Sequence, residues 1–233
     1  MGLSKGEAFV FRARAFAESD LIVTLFTERW GKRTLIAKRA RRFDSPLGGA
    51  FDLLNRVEVV FYPRARMDLA SQASLLEGYT ELKRDLEGTS TALAVARALD
   101  RLLAPHQEEK ETYGLFRRFL DLLERKEAPI DRVKLAATLK VLALSGHRPQ
   151  LVACVACGKR SGSVSFSCER GGLLCEGCAR GGEFAVSRGL ALALDSLLRL
   201  PLERSGVVAL SAEDAVLAGE VLSSYVARCA SGS

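Results

Sequence analysis

The sequence predicts an α+β chain: a small N-terminal β-barrel, then an α-helical domain carrying an inserted four-cysteine zinc ribbon. Three observations predict it. Short runs rich in Phe, Val, Leu and Thr recur through the first 78 residues. Apolar residues recur at helical spacing from about residue 81 onward. Two Cys-x-x-Cys pairs interrupt that helical texture between residues 151 and 180.

The strand-like runs are 9–16, 21–27, 33–37 and 57–62, with 67–75 as a fifth. Turn signals separate them at Glu18-Ser19-Asp20, Trp30-Gly31-Lys32, Ser45-Pro46-Leu47-Gly48-Gly49 and Pro63. The Trp30-Gly31 corner reads as a hairpin. Five short strands in so little chain suggest closure into a barrel, with Phe9, Phe11, Phe26 and Phe61 as its core.

Helical periodicity follows in Leu93, Ala96, Leu99, Leu102 and Leu103. It continues in Leu115, Phe116, Phe119, Leu120, Leu122 and Leu123, and again in Val133, Ala136, Ala137, Val141 and Leu144. Pro129 opens the third of these helices, and Gly146 followed by Pro149 closes it. Helical patterns resume at 187–200 and 212–228, the second with Ser211 and Asp214 as a capping box. The cysteine segment is too short and polar for a core of its own. The division is a barrel over 1–80, a helical domain over 81–150 and 183–233, and the zinc insert over 151–182.

Cys154-Val155-Ala156-Cys157 and Cys175-Glu176-Gly177-Cys178 are separated by 17 residues. Two intervening residues let both thiolates of a pair reach one ion at about 2.3 Å, and the second pair completes a tetrahedron. With Cys154, Cys157, Cys175 and Cys178 as ligands the shell is closed. The expected ion is one structural Zn2+ with no open position for catalysis. Cys168 and Cys229 are expected not to be ligands. His106 and His147 form no cluster and read as surface or helix-end residues.

Net charge is +6 and the isoelectric point about 9.1. Residues 1–80 carry 13 basic and 9 acidic side chains, so the excess lies toward the front. From Arg29 to Arg42 there are seven basic residues and no acidic one. Lys32, Arg33, Lys38, Arg39, Arg41 and Arg42 are the candidate DNA-binding set, because guanidinium forks suit phosphate and neutralised phosphates release counterions. Arg12, Arg14, Arg64 and Arg66 are expected to extend the face. Trp30 and Phe43 flank the stretch, where stacking on bases is one role and a structural role the other.

No P-loop, dinucleotide fingerprint or metalloprotease motif is present, and no residue is nominated as catalytic, so a non-enzyme is expected. No apolar run is long enough for a membrane helix and no secretory signal opens the chain, so the cytoplasm is the expected compartment.

Three segments carry a family likeness. One is Glu18-Ser19-Asp20-Leu21-Ile22-Val23-Thr24-Leu25-Phe26-Thr27 with Gly31-Lys32 and the basic run through Arg42. Another is Gly146-His147-Arg148-Pro149 leading to Cys154-Val155-Ala156-Cys157-Gly158. The third is Gly171-Gly172-Leu173-Leu174-Cys175-Glu176-Gly177-Cys178. In these the chain resembles the RecO family of bacterial recombination mediators, although relatives usually have glycine where this chain has Arg39. The resemblance implies an N-terminal OB-fold, a helical domain and a zinc ribbon. It also implies a nucleoid-associated DNA repair protein that binds single- and double-stranded DNA and anneals complementary strands. Such a protein helps load RecA on strands coated with single-strand-binding protein, with RecR as partner. A zinc-ribbon RNA-binding or ribosome-associated factor is the alternative, since the same charges suit RNA; a zinc-containing nuclease or transferase is a third class.

Overall fold

The computed structural model describes residues 2–45 and 47–231, so Pro46 of the expected turn lies outside the described residues. The chain forms two compact units, Met1–Arg117 and Arg118–Ser233.

The first unit holds β1 (Ser4–Phe16), β2 (Asp20–Thr27), β3 (Gly31–Ala37), β4 (Arg56–Tyr62) and β5 (Asp68–Glu77). All five expected strands are present. They close into a barrel in the order β1-β2-β3-β5-β4, with β1 pairing β4 and only β3 and β5 running parallel. That closed five-stranded arrangement is the small barrel the strand pattern predicts, of the OB type that the resemblance implies. Gly31 makes the β2–β3 corner at φ +59°, where a Cβ would fall 1.9 Å from the Gln107 carbonyl, so only glycine fits. Trp30 packs there edge-on against Phe61, ring centroids 5.4 Å apart, which gives it a structural role.

The barrel interior is lined by Val10, Val23, Leu25, Leu35, Val57, Val59 and Phe61, among others. Phe9, Phe11 and Phe26 are buried but not there. Alternation along β1 puts Ala8 and Val10 inside and Phe9 outside. A bulge between Val10 and Arg12 then leaves Phe11 beside Phe26. The three rings meet Tyr113 and Phe116, with Phe9 and Phe116 edge-to-face at 5.0 Å. The aromatic-rich strands thus build two cores, one on each face of the sheet.

Helices α1 (Thr80–Arg84) and α2 (Leu86–Leu102) follow, then α3 (Lys110–Arg125), whose residues through Arg117 belong to the first unit. The second unit contains α4 (Ile130–Leu144), the strands β6 (Val164–Ser167), β7 (Gly172–Cys175) and β8 (Phe184–Val186), and the helices α5 (Arg188–Arg199) and α6 (Ala212–Ser231). Ser187 caps α5, accepting from the Leu190 amide at 2.9 Å, and Ser211 caps α6, accepting from Asp214 at 3.0 Å. Pro129 precedes α4, and Gly146 follows it at φ +82°. The three short strands form one antiparallel sheet, β7-β6-β8. No described helix is long and apolar enough to cross a membrane.

Candidate nucleic-acid interface and metal site

The six basic residues expected on one face fall at two places. Arg33 lies at the start of β3 with its side chain 13% exposed, and its fork closes on Asp68: Nε to Oδ2 at 2.7 Å, Nη2 to Oδ1 at 2.8 Å. Lys32 donates to the Asp100 carbonyl at 2.5 Å and lies 3.3 Å from its carboxylate, which also takes the Arg12 guanidinium. Both cations of β3 thus answer the protein's own carboxylates. Arg64 and Arg66 fall in the β4–β5 loop, level with this same end of β3, because Leu35 pairs in parallel with Asp68. The rest of β3 from Arg33 to Ala37, about 13 Å of strand, and then a turn separate Arg33 from Arg39.

The other end carries an exposed basic loop. Lys38, Arg39, Arg41 and Arg42 are exposed, while Ala40 between them is buried in the barrel core. The loop is tied to the β1–β2 corner. The Arg39 amide donates to Asp20 Oδ1 at 2.7 Å, and the Arg41 amide donates to the Ser19 carbonyl at 2.8 Å. The Arg41 guanidinium reaches the Glu18 carbonyl at 3.3 Å. Internal turns add Arg42 to Arg39 at 3.1 Å and Ser45 to Arg42 at 3.0 Å. Arg39 adopts φ +56°, the left-handed conformation in which glycine is at home. Arg42 pairs with Asp44 at 3.1 Å, both groups well exposed, so little of its charge is neutralised.

The β1–β2 ladder brings Arg14 to this end too. Phe16 pairs with Asp20 and Arg14 with Ile22, so Arg14 and Phe16 occupy one face beside the corner that anchors the loop. Phe16 is half-exposed, and Phe43 is wholly exposed at 108%. Sequence reasoning read Asp20 only as part of a turn and Phe16 only as a strand end; the register reveals their place beside the loop.

In the second unit the sulfurs of Cys154, Cys157, Cys175 and Cys178 all lie within 4.8 Å of one another. Cys157 and Cys175 are 3.6 Å apart. An ion with sulfur ligands at about 2.3 Å in a tetrahedron spaces them about 3.8 Å, so the donor set and spacing fit a closed metal site. The frame is backbone-built. Gln150 and Leu173 exchange strand-like bonds with Gly171 and Gln150, and the Val155 amide donates to the Leu173 carbonyl at 2.8 Å. Arg188 donates to the Val152 carbonyl at 2.8 Å and to the Arg160 carbonyl. A hydrogen bond from the Cys175 backbone helps pull the Cys154 thiol down to about 6. Hydrogen bonding to the Cys175 and Cys157 sulfurs pushes Cys178 up to about 12. A bound dication would favour the thiolate form of the sulfurs that hold it.

Cys168 stands outside this cluster at the end of β6. Cys229 lies in α6 beside Tyr225, and burial raises both thiols. The Tyr225 hydroxyl donates to the His147 carbonyl at 3.2 Å. His106 is exposed, with its ring against Arg33.

Two family models match consecutive parts of the chain. Recombination protein O N terminal matches residues 1–79, and Recombination protein O C terminal matches residues 83–230. The chain is 32% identical over 233 residues to the DNA repair protein RecO of Symbiobacterium thermophilum, covering 97% of this chain and 92% of that protein. It is also 32% identical over 191 residues to the DNA repair protein RecO of Desulfitobacterium hafniense, covering 81% and 69%. To that of Roseiflexus sp. it is 32% identical over 211 residues, covering 88% and 73%. With both models matched in order over nearly its whole length, and a barrel-then-helices architecture to go with them, the chain belongs to the RecO family.

Proposed function

We propose that this chain acts in DNA repair by recombination, binding single- and double-stranded DNA through the loop that carries Lys38, Arg39, Arg41 and Arg42. In this reading it anneals complementary strands and helps load RecA on DNA coated with single-strand-binding protein, with RecR as partner. The supporting observation is that these four cations are exposed together on a loop hydrogen-bonded to the β1–β2 corner. A fixed cationic surface docks on phosphates without reading bases. Annealing follows because one surface screens the repulsion between two strands held on it. Lys32 and Arg33, engaged with Asp100 and Asp68, shape the opposite end of β3 in this reading, while Arg14 joins the loop.

The same proposal assigns one structural Zn2+ to Cys154, Cys157, Cys175 and Cys178. Its thiolate shell would hold β7 and the two cysteine turns together.

The test is strand annealing, with and without single-strand-binding protein, by the wild type and by an Arg39→Glu, Arg41→Glu, Arg42→Glu variant. The variant should lose DNA affinity and show a flatter dependence on salt. An unchanged affinity across a salt titration overturns the assignment.

A further inference from the structure

Phe43 is the most exposed large apolar side chain of the described residues. Phenylalanine is ordinarily among the most buried residue types. The position is not a fray. Phe43 occupies the tip of the turn closed by the Ser45 amide on the Arg42 carbonyl, in a loop held by Asp20 and Ser19. The backbone therefore presents the ring to solvent.

Its neighbours narrow what it can meet. Lys38, Arg39, Arg41 and Arg42 are exposed around it, while the loop's aliphatic side chains, Ala40 and Leu47, are buried in the barrel core. An apolar docking patch for a protein needs contiguous apolar surface, with charge kept to the rim. Here a single aromatic plane stands among four cations and one acid, Asp44, which pairs with Arg42. That pairing suits a chain that alternates phosphates with flat, unpaired bases. A half-exposed second ring, Phe16, lies beside the Asp20 anchor of the loop.

We propose that Phe43 stacks on an unpaired base and makes the basic loop prefer single-stranded over double-stranded DNA. The proposal rests on the reading that this loop binds DNA and adds a base contact to it. Duplex bases are already stacked on each other and offer the ring no free face, so the duplex is held by phosphate contacts alone.

The full chain is tested by fluorescence anisotropy with a thymidine oligonucleotide, an abasic strand of the same length, a duplex, and vesicles rich in an anionic phospholipid. Phe43→Ala should bind the thymidine strand about ten-fold more weakly, with abasic-strand affinity, duplex affinity and salt slope unchanged. Phe43→Leu should resemble Phe43→Ala, since it keeps bulk but loses the π face, and Phe43→Trp should restore binding. Equal thymidine binding by Phe43→Ala and wild type overturns the proposal. So does an equal loss on the abasic strand, or a loss confined to vesicles. The charge-reversed loop reports separately on the underlying reading. If that variant binds all strands normally, the loop is not the DNA site and both readings fail; if it loses binding while Phe43→Ala does not, only the stacking falls.

Discussion

Asp20 accepts a hydrogen bond from the Arg39 backbone amide at 2.7 Å, so a carboxylate anchors the most basic loop of the chain. Two effects oppose each other here, because the acid repels phosphate while its bond holds the loop in place. Comparing two neutral replacements separates them. Asp20→Asn keeps an acceptor and Asp20→Ala does not. We expect Asp20→Asn to bind single-stranded DNA about five-fold more tightly than Asp20→Ala, matching a loss of about 1 kcal/mol for one hydrogen bond. Faster amide exchange at Arg39 and Arg41 in the alanine variant alone would accompany it. Equal affinities of the two variants would show that loop order contributes nothing.

Arg39 combines a strained conformation with a useful charge, at φ +56°. Arg39→Gly should raise stability by up to about 1 kcal/mol by relieving the left-handed backbone. It should also lower the salt dependence of single-strand binding by about 0.7 in slope, the share of one phosphate contact. Denaturant melts and a salt titration of the same variant read both effects.

Arg33 and Asp68 are a structural pair, with side chains 13% and 3% exposed. Asp68→Ala leaves the largely buried Arg33 fork with His106 as its remaining hydrogen-bond partner and removes the acceptor of the Arg64 amide, and should destabilise the first unit by about 3 kcal/mol, measured by urea unfolding. Below its unfolding temperature the variant should bind DNA within about two-fold of wild type, as neutralising one screened, distant charge changes little. A ten-fold gain, from a guanidinium released to phosphate, would restore Arg33 to the binding face.

Elemental analysis should find about one zinc per chain. A chelator strong enough to strip it should expose four additional reactive thiols and lower the protection of amides in 150–187. Cys175→Ser should do the same without chelator, since three ligands hold the ion poorly. Acid should release the ion as protons compete for the thiolates. Metal-free protein with fully protected amides in that segment would remove the assignment.

Much of the architecture is legible in the residues because it is local. Turn signals separate the barrel strands, and the cap at Ser211 is where the last helix begins. The cysteine spacing brings the four sulfurs together for the same reason. What is not legible depends on register. A run of like charge from Arg29 to Arg42 reads as one field, yet β3 passes through its middle and carries Arg33 and Arg39 to opposite ends. Alternation along β1, with a bulge no local signal announces, sends Phe9 and Phe11 to the outer face. Phe43 and Trp30 are equivalent as letters beside a basic stretch. Only the barrel's closure decides that one ring is packed on Phe61 and the other is bare.

The outward-facing Phe9, Phe11 and Phe26 bear on how the molecule can be dissected. Their cover comes from Tyr113 and Phe116, more than thirty residues beyond the last barrel strand. An excised fragment ending near residue 80 would strip the Tyr113 and Phe116 cover from these rings and should self-associate, whereas one cut in the turn after α3, beyond Arg125, keeps that lid. A protease probing the native chain should likewise yield a durable N-terminal piece nearer 13 kDa than 9 kDa, at roughly 110 Da per residue.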